Sequence, residues 1–102
     1  MFLVQMLLPL YDSRGCKLPH DRFGEVRDEL TERYGGVTAY LRSPAQGSWK
    51  EPAGGIDRDD VVMCEVMVDE LDRAWWADYR GRLEKRFGQE ELVVRATTLV
   101  KL

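Results

Sequence analysis

Val61-Val62-Met63-Cys64-Glu65-Val66-Met67-Val68 is the stretch on which the fold turns. An apolar run of this length, broken by one carboxylate, reads as a strand covered on both faces. Period-2 alternation divides it into two sets. Val62, Cys64, Val66 and Val68 are uniformly apolar and belong under helices. Val61, Met63, Glu65 and Met67 are mostly apolar but carry a charge in their middle. Residues 2–10 split the same way, with Phe2, Val4, Met6 and Leu8 against Leu3, Gln5 and Leu7.

Working outward, residues 37–42 alternate and predict a strand before a long polar loop, 43–60. After Val68, Asp69 is expected to cap a helix over about 70–87, with Leu71, Trp75, Tyr79, Leu83 and Phe87 as its apolar stripe and Gly88 as its stop. A last strand is expected within 92–102. On the N-terminal side, residues 11–18 read as a turn. A helix over 19–34 follows, marked by Phe23, Val26, Leu30 and Tyr34 and ended by Gly35-Gly36. The order β-α-β-β-α-β is the split βαβ pattern. It predicts a ferredoxin-like α+β fold: a four-stranded antiparallel sheet with two helices on one face and the first and third strands central. Such a sheet would leave Leu3, Leu7, Met63 and Met67 in water. The expected cover is a second copy, two sheets face to face in a dimeric α+β barrel.

The chain's 102 residues make one domain, 1–102, with 44% apolar and 32% charged residues. A net charge of -3 offers no basic footprint for nucleic acid. Two cysteines, Cys16 and Cys64, lack metal-ligand spacing and read as reduced cytoplasmic thiols; with one histidine they do not make a zinc site. The apolar N-terminus lacks a basic leader and a cleavage site and falls well short of the ~20 residues of a membrane span, so it is read as a buried strand. Neither metal nor cofactor is expected, and neither membrane nor nucleic acid is expected as a partner.

Chemistry-bearing residues gather on the face predicted to be free of helices: Gln5, Thr38, Tyr40, Arg42, Glu65, Arg95 and Thr97. Glu65, in an apolar run, needs a partner. Arg42 is the expected one and Arg95 a more distant one. The plainer reading is an ion pair that fixes register at a dimer interface. The functional reading is a polar ligand pocket between two sheets. His20, opening the first helix, invites an acid/base role but reads more simply as a solvated residue. Trp75 falls on the second helix's stripe and Trp76 about 100° away from it. Gly54-Gly55 lacks the sequence of a phosphate loop.

Gly47-Ser48-Trp49-Lys50-Glu51-Pro52-Ala53-Gly54-Gly55 and Arg86-Phe87-Gly88-Gln89-Glu90, the latter leading to Val93-Val94-Arg95, resemble a family of small bacterial proteins of unknown function. In that family a Trp-Arg/Lys-Asp/Glu-Pro-x-Gly loop and an Arg-Phe-x-Gln-Glu turn recur around a ferredoxin-like core. The resemblance covers the second half of the chain and names no reaction. It implies that Trp49, Glu51, Pro52, Arg86, Gln89 and Glu90 belong together. Trp49 is then expected to anchor its loop against the 86–91 turn or a second subunit, with Arg86 over its indole or paired with Glu51.

The leading expectation is a homodimer that binds a small molecule between its sheets or near the 43–60 loop. Two alternatives remain open. One is a cofactor-free enzyme of the dimeric barrel kind, an oxygenase, isomerase or lyase with Glu65 or His20 as acid/base. The other is an interaction module that uses Trp49 as its anchor.

Overall fold

The computed structural model describes residues 1–35 and 61–102 in full and residues 38–42 by their backbone. Six elements follow one another: β1 (Phe2–Pro9), α1 (Asp21–Tyr34), β2 (Thr38–Arg42), β3 (Val61–Val68), α2 (Arg73–Arg86) and β4 (Val93–Thr98). The strands pair in the order β2-β3-β1-β4 through antiparallel ladders. The class is α+β, and the arrangement is consistent with a ferredoxin-like fold. No helix among the described residues is long and apolar enough to cross a membrane.

The alternation read from β1 and β3 is the one that builds the core. Val4, Met6, Leu8, Cys64, Val66 and Val68 are buried beneath Val26 and Leu30 of α1 and Trp76, Tyr79 and Leu83 of α2. Register makes this possible, because Val4 lies opposite Val66 and Met6 opposite Cys64. Burial alone raises the Cys64 thiol to about 11, as an apolar core must, since it disfavours the thiolate. Phe87, just past α2, completes the core edge-to-face with Phe23 at 5.4 Å.

Helix ends follow local chemistry, with two departures from expectation. α1 stops at Gly35, whose φ of 80° and N–H bond to the Thr31 carbonyl form a left-handed cap. Its start lies two residues later than the proline suggested, after His20, whose side chain makes no cap bond. α2 begins at Arg73 because Asp72, not Asp69, supplies the cap: its carboxylate accepts from the Trp75 N–H at 3.1 Å. The second departure is the tryptophan pair. Trp76 is in the core at 5% exposure, while Trp75 is half-buried and stacks on Tyr79 at 4.9 Å.

Asp12 organises the turn between β1 and α1. One carboxylate oxygen accepts from the backbone N–H groups of Arg14 and Cys16, both at 2.9 Å, and Gly15 takes a φ of 82°. This turn docks on the one after α2, where the Ser13 N–H donates to the Gly88 carbonyl at 3.0 Å.

Candidate functional site

On the face opposite the helices, register aligns Thr38, Glu65, Gln5 and Arg95 as one row across all the strands. Three of their side chains are joined. The Arg95 Nε–H donates to Gln5 Oε1 at 2.9 Å, and Gln5 Nε2–H donates to Glu65 Oε2 at 2.6 Å. An amide suits the middle place because it accepts at one end and donates at the other. Its neighbours in the pleat are apolar: Leu3 and Leu7 are half-buried, and Met67 and Val93 stand 52% and 48% exposed. Met63, on the same face, is 1% exposed.

Arg42 is not in this row. It lies opposite Val61, four residues along β3 from Glu65, or about 13 Å at ~3.3 Å per residue. One carboxylate oxygen of Glu65, Oε2, accepts from Gln5, and Arg95 reaches the carboxylate only through that amide. Tyr40 lies opposite Met63, one row away on the same face. Its side chain, with those of Thr38 and Arg42, lies outside the described residues, as do Trp49, Glu51, Pro52 and the whole of loop 43–60.

The Arg86-Phe87-Gly88-Gln89 turn joins parts of the fold. Arg86 holds Glu29 of α1 through both terminal guanidinium nitrogens, at 2.6 and 3.1 Å, with Glu25 4.0 Å from its Nε. Tyr79 donates its hydroxyl to the same Glu29 at 2.9 Å. Arg86 keeps the Glu29 carboxyl below its ordinary range, and burial with the bond to Glu29 pushes the Tyr79 phenol up. Arg22 of α1 donates to the Arg86 carbonyl at 2.9 Å. Gln89 spends its side-chain N–H groups on the Tyr11 carbonyl at 2.9 Å and the Phe87 carbonyl at 3.2 Å. Glu90 is exposed beside Asp12, Ser13 and Lys85 at a shallow depression. Sequence reasoning did not foresee the Glu29–Tyr79–Arg86 cluster. Glu29 looks like any acidic residue on a solvated helix face, and only the helix pairing reveals its partners.

His20 is exposed on the rim of a cleft of about 780 Å³ between the start of α1 and β3, with Lys17, Phe23, Gly24 and Val62 on its walls. Its charges come in both signs, Arg27 with Asp21 and Asp28, and Arg27 is bonded to Asp28 at 3.4 Å. Among the described residues no group of three or more His, Cys, Asp or Glu could hold a metal ion.

Comparison with protein-family models, with curated proteins and with solved structures gives no match. These comparisons assign the chain to no family. The Arg86-Phe87-Gly88-Gln89 turn acts as a lock between α1, α2 and the β1–α1 turn.

Proposed function

We propose that the protein is a small-molecule-binding homodimer whose ligand site forms where two copies appose the faces of their sheets. One observation carries the reading: a hydrogen-bonded row, Arg95–Gln5–Glu65, crosses three strands on a face where Leu3, Leu7, Met63, Met67 and Val93 flank it. Water gives such a row little reason to exist, because a polar contact that solvent still reaches contributes little to stability. Apposition of a second sheet changes its chemistry. Leu3, Leu7, Met67 and Val93 would supply the apolar contact. The row, stripped of water, would present a carboxylate and a guanidinium held at fixed separation to a polar ligand.

The test is the mass of the purified protein by gel filtration with light scattering, followed by native mass spectrometry. The expected result is twice the chain's 11.8 kDa at micromolar concentration, with Met67→Glu reducing it to a monomer of unchanged circular dichroism. Native spectra should show mass in excess of two chains, lost in Gln5→Met. A monomeric wild-type protein would remove the reading, and a dimer indifferent to Met67→Glu would move the interface elsewhere.

A further inference from the structure

The second site lies on the other side of the sheet, where α2 leaves the edge strand β4 partly uncovered. A cleft of about 440 Å³ runs between them, within the range of small-molecule sites. Its floor is Phe2 and Val4 of β1 with Val94 and Ala96 of β4, and Ala96 is exposed although it faces the helix layer beside buried Val4. The opposite wall is one face of α2, made by Arg73, Trp76, Ala77 and Arg80 at i, i+3, i+4 and i+7. Cations thus stand about two turns apart along the cleft, with apolar groups between them.

Three features of this wall do not serve the fold. Arg73 occupies the first position of α2, the positive end of the helix dipole, in a first turn that holds no acidic residue. Its side chain has no ion-pair or hydrogen-bond partner among the described residues. Arg80 approaches Glu84 only to 4.0 Å, so its donors are largely uncommitted. Trp76 is 5% exposed, and its indole N–H is buried without an acceptor. Buried donors are nearly always satisfied, so this one sets Trp76 apart from the rest of the core.

From these we infer that the α2–β4 cleft binds an amphiphilic organic carboxylate, its apolar body on Phe2, Val4, Val94 and Ala96 and its carboxylate between Arg73 and Arg80. The charge selects an anion, since every ionisable side chain lining the cleft is an arginine; the third, Arg95, is bonded to Gln5 on the far face. The apolar floor selects a body, which inorganic anions lack. A guanidinium fork matches a carboxylate's two oxygens. This inference does not depend on the dimer, because the cleft is on the helix side of the sheet.

Titration of the ¹⁵N-labelled full-length protein with sodium decanoate tests it. The expected result is a saturable shift of the Trp76 indole N–H resonance, assigned through its backbone, together with the Ala96 and Thr98 amides. Decanol, with the same chain length and no charge, should bind at least about tenfold more weakly, as should decanoate to the Arg73→Ala/Arg80→Ala variant. Both arginines are exposed, so that variant should keep the wild-type spectrum elsewhere. Absence of saturable shifts at these three positions, equal binding of decanol, or an unaffected double variant would each overturn the assignment.

Discussion

Arg86 and Glu29 join the C-terminal end of α2 to the middle of α1 through a two-point contact of 2.6 and 3.1 Å. Aromatic side chains also link this pair of helices, Tyr34 stacked on Trp76 at 5.7 Å and Phe23 against Phe87 just past α2. The ion pair fixes how the helices slide along one another, which ring contacts alone do not. Arg86→Ala should destabilise the protein by about 1–3 kcal/mol in urea denaturation, because it leaves the Glu29 carboxylate with the Tyr79 hydroxyl as its one remaining donor in the cluster. A loss under about 0.5 kcal/mol would mean that water replaces the guanidinium without cost.

The same pair predicts a pH dependence. The Glu29 carboxyl is held low in the folded protein by its bond to Arg86, so folded Glu29 binds protons less readily than unfolded Glu29. Its contribution is fully present above the unfolded value of about 4.3 and is lost as pH falls through the lower folded value. The melting temperatures of wild type and Glu29→Gln should therefore differ most near neutrality and begin to converge only as pH falls below about 4. Because the Glu29 side chain is 40% exposed, solvent screening keeps this term modest. A constant difference across the range would show that packing, not charge, sets it.

Gly88 and Gly81 should respond to alanine with opposite signs. Gly88 has φ 61° and an added Cβ would lie 3.1 Å from Asp12 Cβ, at the junction where Ser13 bonds its carbonyl. Gly88→Ala should cost about 1–3 kcal/mol through a left-handed backbone and this close contact. Gly81 is inside α2 with nothing within 4 Å of an added Cβ. Gly81→Ala should stabilise by roughly 0.5–1 kcal/mol, since glycine loses more backbone freedom in a helix. Urea midpoints of the two variants decide the matter; a destabilised Gly81→Ala would mean that the helix needs glycine there.

The thiols should separate cleanly in a disulfide-exchange assay. Cys16 is exposed in the β1–α1 turn, whereas Cys64 is buried at the centre of β3 with its thiol raised to about 11. Native protein should release one equivalent of chromophore promptly and the second only on denaturation. Prompt reaction of both would show that β3 opens on the timescale of the assay.

Much of this architecture was readable because period-2 alternation in β1 and β3 states which face each residue joins, and the faces came out as read. Register was not readable in the same way. A shift of two residues leaves every side chain on its face, so Arg42 could look like the partner of Glu65 and still lie four residues away. The stripe on α2 was misjudged for a related reason. Steps of four residues drift by about 40° each, so Trp75 falls off the centre of a face set by Tyr79 and Leu83, and Trp76 falls within it. The cap carried a similar ambiguity, because Asp69 and Asp72 both precede the helix and only hydrogen bonding tells them apart. Arg73, Trp76, Ala77 and Arg80 held a legible helical spacing that a search for apolar stripes passes over, since its ends are charged.

The polar row makes the last prediction. Gln5 stands directly opposite Glu65 on the neighbouring strand and between Glu65 and Arg95. Its amide works because it offers a donor to the carboxylate and an acceptor to the guanidinium. Gln5→Glu keeps the shape and the bond from Arg95 but replaces the donor with a second carboxylate. Directly opposed like charges destabilise a sheet pair, and here the side chains are half-buried. Arg95 offsets part of the repulsion, because it faces the new carboxylate from the other side. The net loss should be about 1–2 kcal/mol at neutral pH. The repulsion raises the proton affinity of the folded pair above that of the unfolded chain, so here the penalty is present at neutral pH and relieved as pH falls through the raised value. Urea denaturation at about pH 7 and about pH 4 should show Gln5→Glu well below wild type in the first and close to it in the second. A deficit equal at both values would mean that the amide's place in the row is steric, and that Glu65 carries no charge that matters to the sheet.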